Sequence, residues 1–201
     1  MIYRSDDILN LDKVKRINLI NSITGIKSAN LIATKSKENH ENVAIFSSVI
    51  HLGSKPPIVG FVLRPQNNKK TDTYKNILNT SFLTINSVSE SFVEKAHSTS
   101  SKLSFGQSEF KELKIDQVYL KDFYAPFVKS SIIKIGLKFS KDYILPNKCI
   151  LVVGDVVLLS VEDEFILPSG HIDLDNSKIQ GISGVDTYYS LKTPKKLKYV
   201  K

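Results

Sequence analysis

The chain contains no tryptophan, one cysteine and one methionine among 201 residues. The lone cysteine, Cys149, excludes an intrachain disulfide and any cysteine-based zinc site. It lies in an apolar run, which predicts a buried, inert thiol. No apolar run reaches the roughly 18–20 residues that a bilayer-spanning helix needs. The opening residues, Met1 to Asp7, hold no apolar signal core. The expectation is a soluble, cytoplasmic chain with no membrane partner. Several catalytic signatures are missing too. No Gly-x-Gly-x-x-Gly follows a strand pattern, which argues against a Rossmann dinucleotide site. No Gly-x-Ser-x-Gly elbow is present, so a serine hydrolase has little support. His40, His51, His97 and His171 form no His-x-x-x-His pair. His171, Asp173 and Asp175 fit a hard-cation loop or, more simply, solvated loop polarity.

What is present describes an ordinary globular chain. Hydrophobic residues make up 41% and charged residues 24%. With no repeat or low-complexity tract, residues 1–201 read as one domain with a basic tail from about residue 192. The net charge of +8 can attract nucleic acid or small anions. Its densest cluster is Lys192, Lys195, Lys196, Lys198 and Lys201, which reads as a solvated end. No zinc-finger or RNA-recognition signature accompanies it. The expectation is no nucleic-acid partner, with a basic nucleic-acid-binding module kept as an alternative.

Periodicity supplies the elements. Leu11, Val14, Ile17, Leu19, Ile20 and Ile23 recur at helical spacing, closed by Gly25. Strands are predicted over 29–34, 43–50, 58–63 and 82–88, with a hairpin turn at 35–42. A short helix over 71–79 starts at Thr71 or Asp72. Ser89 is the predicted cap of a helix reaching Ser98, with Phe92, Val93 and Ala96 inward. A Ser-rich loop over 99–107 and a helical turn over 108–113 follow. Two long strands are predicted over 130–139 and 148–161. The second is nearly all apolar, which predicts a central strand covered on both faces. Gly154 inside it marks a bulge or a close backbone approach. Strands outnumber helices and do not alternate with them. The fold class is therefore mainly β, an antiparallel sheet or barrel with peripheral helices.

The stretch from Phe46 to Pro65 carries the most chemistry. Two strand-like runs flank the Lys55-Pro56-Pro57 corner, and the second ends in Arg64. Thr71-Asp72-Thr73 then opens a helix. An arginine grips two phosphate oxygens at once, and a helix N-terminus offers oriented N–H groups. Lys69-Lys70 lies beside this position. Arg64, Thr71 and Thr73 fit the phosphate end of FMN; they also fit a surface arginine before an ordinary capped helix. Phe46, Ser47 and Ser48 offer an aromatic face and two hydroxyls to a flavin ring; they also fit a plain strand end. His97, after Glu94 on a predicted helix, fits an acid/base group or a helix-end cap.

These residues stand in a wider pattern. The runs from Ala29 to Lys35, from Asn42 to Ser48 and from Leu52 to Pro65, continued by Asp72 to Ile77 and Phe82 to Asn86, resemble the flavin reductase-like family of FMN-binding split barrels. The similarity extends through Gln107 to Phe110 and Gly154 to Val156, and ends near Gly181 to Tyr189. The resemblance implies a six-stranded Greek-key split barrel, assembled as a homodimer, with FMN at or near the subunit interface. It implies hydride transfer from NADH or NADPH to flavin N5, and in some members a partner monooxygenase that receives reduced flavin. A non-catalytic FMN-binding protein of the same fold remains the alternative. Carried over by residue, Thr34, Phe46, Ser47 and Ser48 face the isoalloxazine. Ser54, Arg64, Thr71 and Thr73 serve the ribityl phosphate, and His97 falls on the nicotinamide side. The amide-rich loop Gln66-Asn67-Asn68-Lys69-Lys70 departs from the family's pattern, so the phosphate contacts are expected to differ there.

Overall fold

A computed structural model of the chain describes residues 1–67, 70–101, 103 and 107–198. Asn68 and Lys69 of the amide-rich loop, four positions of the Ser-rich loop and Lys201 lie outside the described residues. Two helices come first, α1 (Ser5–Leu9) and α2 (Lys13–Ser22). The strands β1 (Lys27–Ser28), β2 (Asn30–Lys35), β3 (Glu41–Phe46), β4 (Ile50–Ser54) and β5 (Pro57–Leu63) follow. Next are α3 (Asp72–Thr80), β6 (Phe82–Ser87), α4 (Val93–Ser98) and α5 (Glu109–Glu112). The chain continues with β7 (Gln117–Val118), β8 (Phe127–Val128), β9 (Ile133–Ile144), β10 (Ile150–Val161), β11 (Gln180–Ser183) and β12 (Thr187–Ser190).

Seven strands form the main sheet, in the order β3-β2-β6-β9-β10-β5-β4, antiparallel throughout. Its edges, β3 and β4, are consecutive in sequence and joined by Ser47, Ser48 and Val49 alone. Laid flat, six strand spacings would part those edges by about 29 Å. The chain from Phe46 to Ile50 reaches at most about 14 Å. The sheet must therefore curl until its edges meet. At that seam β4 has not yet begun to pair, and Ser48 takes the place of a strand. Its hydroxyl donates to the Val62 carbonyl at 3.0 Å and accepts from the Val62 N–H at 3.1 Å.

Curling gives the sheet an inside and an outside. Ile32, Phe61, Leu63, Leu83, Ile85, Leu137, Ile150 and Val152 fill the inside, with Tyr74 and Ile77 of α3 packed among them. Leu31, Ala33 and Val43 point the other way and pack with Ala96 of α4 and Phe110 of α5. Thus β2 is covered on both faces, and alternate residues feed two cores. A smaller cluster of Phe123, Ala125 and Phe127 backs the far side.

Several sequence expectations change in detail. The predicted strand over 43–50 divides at Ser47, because the corner there lets Ser48 reach Val62. The strand expected to end at 139 runs on to Ile144, paired with β10 across a bulge. That bulge falls between Val153 and Gly154. A Cβ at Gly154 would stand 3.2 Å from both the Leu137 Cβ and the Lys138 carbonyl, so the close approach is real. Ser89 makes no side-chain cap; a 3-10 turn over Glu90–Phe92 leads into α4 instead. The largest correction concerns β10. It is central, but its cover fails past the second bulge, between Val156 and Leu158, although Leu158 itself packs on the Phe123–Phe127 cluster. Ile150 and Val152 are buried, whereas Val157 and Leu159 are 54% and 59% exposed. Ile50 and Leu52 of β4 are each 44% exposed, and Leu52 meets Leu151 over Gly60 nearer the other end of β10.

Ser48→Ala removes both seam hydrogen bonds and leaves two strand groups unpaired. It should lower stability by about 1–3 kcal/mol, read as a shifted urea midpoint. An unchanged midpoint would show that the seam closes without the hydroxyl.

Candidate functional site

The loop after β5 is built by one amide. Gln66 Nε2 donates to the Arg64 carbonyl at 2.8 Å. Gln66 Oε1 accepts from the Thr71 N–H at 2.8 Å and from the Thr71 hydroxyl at 3.1 Å. Thr71 is the N-cap of α3, and its Oγ1 accepts from the Tyr74 N–H at 3.4 Å. The strand end at Arg64 and the helix start at Thr71 are thereby held in one turn. The Arg64 side chain is exposed and makes no hydrogen bond or ion pair among the described residues. A free guanidinium beside a helix N-terminus has the donors and the field that a phosphate needs. Asp72, the one acid of that first turn, pairs with Lys75 at 3.2 Å.

The body of α3 is held by side-chain amides. Asn76 Nδ2 donates to Thr34 Oγ1 and Asn42 Nδ2 to Thr73 Oγ1, each at 3.0 Å. Thr34 and Asn42 are partners across the β2–β3 ladder, so both bonds dock the helix on one rung. On the opposite flank the Tyr74 hydroxyl donates to Asp142 Oδ2 at 2.5 Å. Burial, reinforced by that carboxylate, pushes the Tyr74 hydroxyl up to about 12. Glu109 of α5 accepts the Val43 N–H at 3.2 Å and so covers part of the β3 edge. Burial raises its carboxyl above the usual glutamate value, with Asp72 adding to the effect.

The sequence-predicted residues fall into three groups. Ser48, Arg64, Thr71 and Thr73 gather at one rim of the barrel, because Ser48 grips Val62, two residues before Arg64. Ser47 joins them, half-buried, and its hydroxyl has no partner among the described residues. Phe46 turns inward and meets Phe61 edge-on, with centroids 5.4 Å apart. Thr34 is fully buried under α3 and faces the helix rather than open space. Ser54 is not brought to this rim in its own chain. It pairs with Pro57, and β5 carries the chain roughly 20 Å from there to Leu63. His97 sits on α4, where Nδ1 lies 3.2 Å from the Tyr188 hydroxyl and the rings meet edge-on. Gln66, Asn42, Asn76 and Glu109 were not anticipated as individuals; the amide-rich loop was the sole signal for Gln66.

In a single chain the rim is an open surface. Two clefts, of about 550 and 370 Å³, lie elsewhere. The first runs along α2 past Tyr3 and Asp12, and the second lies between Glu90 and Lys192.

Comparison with known proteins decides the family. The model of the flavin reductase like domain matches residues 26–171. The chain belongs to the flavin reductase-like family. This membership makes it a flavin-related oxidoreductase. A split-barrel structure from Shewanella frigidimarina NCIMB 400, assigned as a flavin reductase, is 38% identical with a TM-score of 0.94, covering 100% of both chains. Nitrilotriacetate monooxygenase component B from Bacillus cereus is 18% identical, covers 98% of both chains and has a TM-score of 0.86. An FMN-binding protein from Thermus thermophilus is 14% identical, with a TM-score of 0.71, over 86% of this chain and 93% of its own. The split-barrel expectation is thus met, and the main sheet here counts seven strands among the described residues. No helix among them is long and apolar enough to cross a membrane.

The Glu109 carboxyl generates a pH prediction. Its folded pKa lies above the ordinary 4.5, so the native state holds the proton more tightly than the unfolded chain. The associated stability is present below the ordinary value and is lost as pH rises through the folded one. Glu109→Gln keeps an acceptor for Val43 and removes the titration. Urea midpoints of wild type should fall relative to the variant as pH rises from about 4 to 7. Parallel profiles would refute the assignment.

Proposed function

We propose that the protein is an FMN-dependent oxidoreductase of the flavin reductase type, drawing hydride from NADH or NADPH. The supporting observation is the Arg64–Gln66–Thr71 turn, which ties the backbone of Arg64 to the N-cap of α3 and leaves its guanidinium without a partner among the described residues. Arg64 holds the FMN phosphate at the start of α3, and Gln66, which takes both donors of the Thr71 cap, keeps that turn in register. Thr73 steadies the helix through Asn42. The free hydroxyl of Ser47 serves the polar edge of the ring. When bound, the flavin supplies the N5 position that accepts a hydride. No protein nucleophile is needed, which fits a rim without one.

Two copies complete the site. Two residues on from Ser48, Ile50 and then Leu52 of β4 expose apolar side chains, as an interface between copies requires. That pairing also offers the remaining route by which Ser54 of one copy meets the flavin held by another. A separate monooxygenase is the favoured user of the reduced flavin, supported by the fold shared with the Bacillus cereus component B.

Purified protein should bind FMN, and NADH or NADPH should bleach the flavin absorption bands under anaerobic conditions. Bound flavin that neither donor bleaches would leave a flavin carrier and defeat the reductase reading. Arg64→Ala should weaken FMN binding by on the order of 1.5–3 kcal/mol in a fluorescence-quench titration. Gln66→Ala should act in the same direction by releasing the turn. Affinity unchanged in Arg64→Ala would take Arg64 out of the site.

A further inference from the structure

The first 25 residues make no hydrogen bond to their own chain beyond Lys27 among the described residues, and Ile26, over Gly181, begins the contact with its body. Neither α1 nor α2 contains a buried residue. The apolar side chains of α2 and its C-cap face solvent: Val14 is 63% exposed, Ile17 and Ile20 42%, and Ile23 66%. Every hydrogen bond of residues 1–26 among the described residues stays within the first 27. The helix carries Lys13, Lys15 and Arg16 and no acid. An amphipathic basic helix with no cover on its own chain needs a surface that is both apolar and acidic.

The same chain supplies one. Between Cys149 and Ser177 there is no lysine or arginine, yet six acids occur, in a chain of net charge +8. Glu162, Asp163 and Glu164 stand exposed where β10 ends. Glu162 interacts with Lys134 of β9, and Asp163 and Glu164 make no ion pair among the described residues. Beside them Val157, Leu159, Ile166 and Leu167 are 54%, 59%, 44% and 38% exposed.

We propose that α2 of each protomer docks on the acidic lobe at the end of β10 in a second copy, so that two copies exchange arms. Lys13 and Lys15 meet Asp163 and Glu164, while the Val14–Ile17–Ile20 stripe covers the Leu159–Ile166 surface. The inference rests on the dimer proposed above and names the segment that clasps it.

Charge reversal in trans tests it, with full chains followed by sedimentation and by energy transfer between labelled copies. Lys13→Glu/Lys15→Glu alone, and Asp163→Lys/Glu164→Lys alone, should each weaken the dimer about tenfold. An equimolar mixture of the two variants should restore association, as should all four substitutions in one chain. Far-UV circular dichroism checks that each variant keeps its fold, and the mixture separates lost pairing from misfolding. A dimer indifferent to both reversals overturns the arm exchange and leaves the dimeric flavin site standing. A wild-type chain that stays monomeric overturns both. Binding of wild type to phosphatidylglycerol vesicles, lost on arm reversal while dimer affinity is unchanged, assigns the arm to a membrane surface and overturns the inference.

Discussion

Three residues set the geometry of this molecule. Ser47, Ser48 and Val49 connect strands that would lie at opposite edges of a flat sheet, and so short a link forbids flatness. Closure follows from chain length, and Ser48 converts it into hydrogen bonds. The consequences spread from there. Alternate residues of β2 become interior and exterior, which lets one strand feed two cores. Val62 is drawn to Ser48, and Arg64, two residues on, arrives at the same rim. The residues that suit a flavin are neighbours because the barrel has to close beside them.

Neutral amides and hydroxyls then refine what closure places. Gln66 ties the strand end to the helix cap, and Asn42 and Asn76 dock the helix on the β2–β3 ladder. Each such bond contributes about 1 kcal/mol net, with a larger loss when one buried partner is left alone. Their value lies in direction, since an amide fixes a loop without adding a charge to it. Arg64 is left unpartnered while its backbone is pinned.

Legibility in the sequence follows the range of the interaction. The strands, α2, α3 and the α5 turn were readable because alternation, helical spacing and the Thr71 cap are local signals. The seam bond from Ser48 joins residues 14 apart, and nothing local distinguishes it from a strand end. Thr34 illustrates the same limit: its place under α3 depends on Asn76, 42 residues away. Ser54 looked close to Arg64 in sequence, yet extended β5 carries them apart. The Gln66 loop was visible as a departure in composition, but its role required knowing that the helix cap returns to it. The family pattern over 26–171 supplied the fold that these separate signals could not.

The double-sided apolar pattern of β10 and the bare stripe of α2 have one physical origin. Hydrophobic periodicity reports that a face is to be covered and is silent about which chain covers it. For β10 the natural reading was a strand buried within its own fold, and the exposed Val157 and Leu159 contradict it. Each large apolar side chain left in water forgoes about 1.5–3 kcal/mol of burial. A surface of several such residues on the sheet, with a matching stripe on a detached helix, is costly for one chain and not for two. The charge follows the same division. The surplus of +8 suggests a uniformly basic protein, yet 149–177 is purely acidic and α2 purely basic. Segregation of this kind disfavours pairing of like surfaces and directs the helix of one copy toward the lobe of the other.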